Sequence, residues 1–438
     1  MKKGNPIALL PIVVFLVLFV GMGLVLGDFY VMPAIVGFII ALAVAFAMNP
    51  KLDFNQKLSI AAKGSGEENV ITMCFIFLLA GAFAGAVQAA GGMDSTVNLG
   101  LSILPPKIAI IGVFVIACFI SISMGTSVGT ITFLTPIAIG IAEKTGFPMA
   151  LCVGAVVCGA MFGDNLSMIS DTTIAAVRTQ GCEMKDKFRQ NFFIVLPAAI
   201  VTILILYFTT HNSVYQLEEA LPYDIWQVMP YLFVLVTALL GLNVFLVLMS
   251  GTVFALIVGV AQGTIPWTEM FQVVGSGVSS MFEITCISLL VAAIIALVKE
   301  NGGIDFVLYL IRRNVKSKRG AELGIAVLAS LMDICTANNT VAIVMAGPIA
   351  KDISEEFQVE PKSSASILDI FTSVWQGIIP YGAQLLTAAT LVQTHLSKTG
   401  SDLTFTSFDI IPYLYYPALM GLCALVYFLF LKKEKTTA

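Results

Sequence analysis

Apolar runs of roughly 20 residues recur along the whole sequence, and few folds are open to a chain written that way. Inside a bilayer every backbone polar group needs a partner, so a spanning segment is a helix or part of a closed barrel. These runs are continuous and do not alternate, which selects helices. Only 11% of the 438 residues are charged and 58% are hydrophobic, whereas soluble domains carry about 25% charged residues. The reading is an all-α polytopic membrane protein, with the lipid bilayer as its first partner. The net charge of −4 says little, because charge placement matters here and the total does not; no nucleic acid is expected as a partner. Eight cysteines, mostly inside apolar runs and without a CxxC pair, and two histidines predict neither a disulfide framework nor a zinc site. No HExxH or P-loop pattern is present, so neither an enzyme nor an ATP-driven pump is expected, and no cofactor. Lys2 and Lys3 before an apolar run resemble a signal peptide, but a second apolar run follows at once and no small-residue cleavage site intervenes. The first helix is therefore read as retained.

One stretch breaks the apolar pattern most sharply. Gly163-Asp164-Asn165-Leu166-Ser167-Met168-Ile169-Ser170-Asp171-Thr172-Thr173 packs two carboxylates, an amide and several hydroxyls between apolar runs. Such a stretch cannot sit in hydrocarbon as a plain helix; a broken helix is tolerated only beside protein or a wet cavity. A second interruption, Gly125-Thr126-Ser127, divides the apolar stretch 108–141 into two half-length legs, as expected of a re-entrant hairpin.

The second half of the chain repeats the first. Gly91-Gly92-Met93-Asp94 returns as Gly302-Gly303-Ile304-Asp305, Pro136-Ile137-Ala138 as Pro348-Ile349-Ala350, and Ala175-Ala176 as Ala388-Ala389, at offsets of 211, 212 and 213 residues. In this register Thr126 and Ser127 face Asn338 and Asn339 at the two hairpin tips. Asp171 faces Gln384, and Gly163-Asp164 faces Gln376-Gly377. Each copy reads as five spans, one hairpin and one broken helix: residues 1–212 and 222–432, together one membrane domain of about ten spans plus two hairpins. An odd number of crossings inverts the second copy. With the N-terminus inside, 20 of the 23 Lys and Arg residues fall in inside segments, including 178–189, 312–319 and 432–435. The positive-inside rule then puts both termini in the cytoplasm of a multi-pass protein of the inner (plasma) membrane.

Inverted repeats with broken helices mark secondary transporters, whose site lies at the repeat interface near the midplane. Hard cations take carboxylate, hydroxyl and carbonyl oxygens, and Asp164, Asn165, Ser167, Asp171 and Thr172 supply those types. A carboxylate also couples, because protonated it holds a cation poorly and ionised it holds one well. Asp171 is the first candidate for the shared proton and cation ligand. The tips (Thr126, Ser127, Asn338, Asn339) and the second-copy residues Asp333, Asp369, Gln376 and Gln384 are the further candidates. Glu283 reads as interfacial, His211 and His395 as solvated loop residues, and residues 178–190 as a charged loop. No Lys or Arg reads as lying inside a span.

Gly163-Asp164, Ser167 and Ser170-Asp171-Thr172-Thr173 resemble the GD…S-P-x-SDTT motif of the NhaC-type sodium/proton antiporter family, with Met168 where the family carries proline. The resemblance covers essentially the whole chain. It implies a sodium/proton antiporter with re-entrant hairpins, an elevator-like motion, and Na+ and H+ as cargo. The alternative is a sodium- or proton-coupled transporter or exchanger of a small organic anion or amino acid. A homodimer is compatible with either.

Overall fold

The computed structural model describes residues 4–26, 32–103, 106–168, 170–211, 222–240, 242–306, 309, 317–401 and 403–431. The acidic connection at 212–221, where the two expected copies meet, and the basic residues at 2–3, 312–316 and 432–435 lie outside the described residues. Among the described residues every regular element is helical. The first half runs α1 (Leu10–Leu26), α2 (Ala34–Ala47), α3 (Phe54–Ser65), α4 (Glu68–Ala89), α5 (Gly92–Ile103), α6 (Pro106–Met124), α7 (Ser127–Thr145), α8 (Met149–Leu166), α9 (Asp171–Gln180) and α10 (Met184–His211). The second runs α11 (Ile225–Leu239), α12 (Val244–Ala261), α13 (Met270–Ser279), α14 (Phe282–Glu300), α15 (Lys318–Thr336), α16 (Asn339–Glu356), α17 (Pro361–Gln376), α18 (Ala383–Lys398), the short α19 (Ser407–Ile410) and α20 (Tyr415–Val426).

The breaks have local causes. Between α6 and α7 the chain turns at Gly125 (φ 68°), and the Thr126 hydroxyl then accepts the Gly129 N–H to start α7. Between α15 and α16 it turns at Ala337 (φ 49°), a left-handed residue without the freedom of glycine. The Asn338 side chain accepts the Val341 N–H to start α16. Helix α8 follows Pro148 and stops at Ser167; α17 opens with Pro361 in its first turn and stops at Gly377. The polar segment 49–69 is not a plain connection. Asp53 and Gln56 form a reciprocal capping box that starts α3.

Val70–Ala89, Met149–Gln180 and Met184–His211 are long and apolar enough to cross a bilayer, at 20, 28 and 32 residues for the first, third and second. The pair Ser407–Tyr413 and Tyr415–Leu431 qualifies if its 53° bend is taken as one span. Other apolar helical stretches, such as Ile108–Ile122 and Phe245–Ala261, are shorter.

Helix α8 is buried on every side, against α6, α7 and α10. It meets α6 backbone to backbone: a Cβ on Gly163 would lie 2.4 Å from Ser121 Cβ and 2.5 Å from Cys118 O. Helix α17 is enclosed likewise by α15, α16 and α9. A second group, α2–α4 with α12–α14, packs around α4 and α14. Here Gly81 and Gly277 let α4 and α13 touch, since a Cβ on Gly277 would lie 2.2 Å from Gly81 O. The half-helices that follow the two breaks are exchanged: α9 packs on α16, and α18 packs on α7.

Candidate functional site

Asp164 occupies the last turn of α8 and is 3% exposed. Its Oδ2 accepts a hydrogen bond from Ser127 Oγ at 2.7 Å, and its Oδ1 accepts one from Ser170 Oγ at 2.6 Å. Ser127 is the first residue of α7, so the first hairpin tip and both sides of the α8–α9 break converge on one carboxylate. The hydroxyls of Ser170 and Thr172 lie 2.8 Å apart, extending the polar contacts of Asp164 into the first turn of α9. The second half reaches the same point. Gln384 Nε2 donates to Ser127 Oγ at 3.1 Å, Gln376 Nε2 donates to Gln384 Oε1 at 2.6 Å, and Gln376 Nε2 also donates to Ala337 O at 3.2 Å in the second tip. A chain of polar contacts thus runs from one hairpin tip to the other through Asp164's neighbour.

Asp369, on α17, lies in a second polar cluster. Its Oδ2 forms an ion pair with Lys187 and accepts hydrogen bonds from Asn165 Nδ2 at 2.9 Å and Asn191 Nδ2 at 3.1 Å. Lys187 Nζ also donates to Asn165 O at 3.0 Å and Thr173 Oγ1 at 2.8 Å. Two expectations are corrected here. Residues 178–190 are not a charged loop: α9 runs to Gln180 and α10 begins at Met184, with Gly181 (φ 69°) making the turn. Lys187, in the first turn of α10, is only 1% exposed, so one lysine does enter the core. Its signal was in the sequence: Lys187, Asn191, Ile194, Val195 and Ala198 follow helical spacing and form the buried stripe of α10.

The remaining candidates are spread around these clusters. Asp171 is exposed at the start of α9; its Oδ2 accepts from Thr340 Oγ1 at 2.6 Å and its Oδ1 from its neighbour's N–H, Thr172 N, at 3.0 Å. Ser167 Oγ donates to Ile122 O at 2.7 Å, tying the break to α6. Thr126 and Asn338 cap their helices, and Asn339 accepts from Thr340 N at 3.1 Å. Asp333 is fully buried, and neither of its oxygens has a hydrogen-bond partner among the described residues. His395 is not a solvated loop residue: it lies on α18, 8% exposed, with Nε2 2.7 Å from Glu143 Oε1. Sequence reasoning passed over Lys187, Asn191 and Thr340, and placed Ser170 in the motif without a contact of its own.

Comparison with known proteins decides the family. The sequence profile of the Na+/H+ antiporter family matches residues 5–210 and 220–428. The chain belongs to the Na+/H+ antiporter family. As a member it is an integral membrane transport protein and not an enzyme. It is 25% identical to the malate-2H(+)/Na(+)-lactate antiporter of Bacillus subtilis, over 62% of this chain and 59% of that relative's length. It is 22% identical to the Na(+)/H(+) antiporter NhaC of the same organism, over 72% of this chain and 77% of the relative. The crystal structure of the Alcanivorax borkumensis YdaH transporter superposes with a TM-score of 0.45 at 13% identity, covering 95% of this chain and 97% of that one. In this antiporter-family chain Ser170 links the motif residues Asp164 and Thr172 through side-chain contacts.

Proposed function

We propose that this chain exchanges Na+ for H+ by alternating access, with Asp164 as the carboxylate that both ions share. The observation that carries the reading is the buried Asp164 carboxylate held by Ser127 and Ser170 where a hairpin tip meets a helix break. Ionised, it offers a hard cation two oxygens beside the hydroxyls of Ser127, Ser170 and Thr172. Protonated, it is neutral and needs no counter-ion, so the empty carrier can return with a proton in place of the cation. The half-helix ends at the break add their dipoles, as in transporters built on discontinuous helices.

The reading includes two inverted repeats, 1–212 and 222–432, with five spans each and both termini cytoplasmic. Support comes from the breaks. Gly125 and Ala337, both left-handed, are 212 residues apart, as are the capping residues Thr126 and Asn338. The two stretches matched by the family profile part between 210 and 220. Transport of a small carboxylate or amino acid is the less supported alternative, because the buried ammonium of Lys187 is already engaged by three oxygens.

The test is purified protein in liposomes with an internal pH dye. A Na+ gradient should drive proton movement in the wild type, and Asp164→Asn should abolish it while remaining monodisperse in detergent. Proton movement unchanged by Asp164→Asn, or driven only when a carboxylate or amino acid is supplied, would reject the assignment.

A further inference from the structure

The oxygens around Lys187 form a site of their own. Its ammonium is surrounded by a carboxylate oxygen (Asp369 Oδ2), a backbone carbonyl (Asn165 O) and a hydroxyl (Thr173 Oγ1). That is the donor set of a hard monovalent or divalent cation, not of a lysine in particular. The carbonyl belongs to the last turn of α8, where helix carbonyls lack intrahelical partners and the dipole favours positive charge. Two further oxygens of the cluster, Asn191 Oδ1 and Asp369 Oδ1, are buried and, among the described residues, without a hydrogen bond of normal geometry. The Thr172 hydroxyl lies against the Asp369 carboxylate. Lys187, Asn191 and Asp369 are each 1% exposed or less.

We infer that this cluster is a second cation site, occupied in the native chain by the tethered ammonium of Lys187, and that it takes Na+ once the lysine is removed. The inference goes beyond the exchange at Asp164 and does not need it. A lysine held in this way places a tethered ammonium beside the α8–α9 break. Of the two oxygen clusters at the break, it leaves only the one around Asp164 open to cargo. Removing one member of a buried ion pair strands the other charge, and a small cation drawn from solution restores the balance when the surrounding oxygens already suit it.

The experiment reads the melting temperature of purified protein in NaCl against choline chloride at equal ionic strength, with every variant made in an Asp164→Asn background. Asp164→Asn alone should show no Na+-dependent shift. Adding Lys187→Ala should lower the melting temperature in choline and recover much of the loss in Na+. Adding Asp369→Asn as well should erase the Na+ response. Equilibrium 22Na+ binding should follow the same order: none, about one per chain, none. If Lys187→Ala cannot be recovered, Lys187→Ser serves, since its hydroxyl adds a donor. A lysine-free variant that melts identically in Na+ and choline would overturn the inference, as would failure to recover either variant from cells grown in high Na+. A Na+ shift already present in Asp164→Asn and unchanged by the other substitutions would count against Asp164 as the cargo site and also against this one.

Discussion

Two aspartates seven residues apart in one motif have different surroundings. Asp164 is enclosed with two hydroxyls donating to its two oxygens, whereas Asp171 is exposed at a helix start and bonded to Thr340. The sequence singled out Asp171 because it follows the break amid hydroxyls; the contacts move the weight to Asp164. Asp171→Asn is therefore expected to keep Na+-coupled proton movement with a weakened apparent Na+ affinity, while Asp164→Asn loses it. Vesicle assays of both variants over a range of Na+ concentrations separate them, and equal loss in the two would argue for a jointly acting pair. Ser127→Ala removes one donor to Asp164 and the acceptor of Gln384. A hydrogen bond to a charged group contributes about 1.5–3 kcal/mol, which corresponds to a Na+ affinity lowered by roughly tenfold or more. An unchanged half-saturating Na+ concentration would show that the hydroxyl is not part of the site.

The breaks were legible in the sequence because their causes are local. Glycine, proline and clustered hydroxyls interrupt apolar runs at 125–127 and 163–173, and the helices stop there. Helix α3 is also legible, through Asp53 and Gln56 at capping spacing. Lys187 was passed over, despite its place in the stripe of α10, for a different reason. Counting charges by segment assigns a basic residue to the aqueous side, while a four-carbon stem lets an ammonium end well away from its own backbone. Its partner Asp369 is 182 residues distant, and no local pattern announces that contact. Element packing yields a further test. Gly163→Ala drives a methyl into Ser121 and the Cys118 carbonyl, so α6 and α8 must part. Overpacking of this kind costs about 1–3 kcal/mol. Gly100→Ala is the matched control: it sits inside α5 with nothing among the described residues within 4 Å of its Cβ position. Alanine there gains helix stability of about 0.5–1 kcal/mol. Melting curves should move in opposite directions, and a Gly163→Ala protein as stable as wild type would contradict the close α6–α8 contact.

At the scale of the whole molecule, the inverted arrangement makes a simple prediction. On the proposed topology Ser317, capping α15, is expected on the cytoplasmic side and Ser401, after α18, on the outer side. In a cysteine-free background Ser317→Cys should react with an impermeant maleimide only in inside-out vesicles, and Ser401→Cys only in intact cells. Labelling of both from one face would end the inverted reading. The exchange of half-helices, with α9 lying on α16 and α18 on α7, bears on how such a chain is made. When the ribosome has released the first half, α9 has only α8 and α10 beside it, because α16 and α17, its main packing partners, are still untranslated. Asn165 and Lys187 likewise wait for Asp369. The first half is therefore expected to enter the bilayer without the Asp369 partner of Asn165 and Lys187, and to become protease-resistant only late in synthesis. Chains halted near residue 212 should be degraded rapidly in cells. The same fragment co-expressed with residues 213–438 should be rescued, since everything missing from one piece is carried by the other.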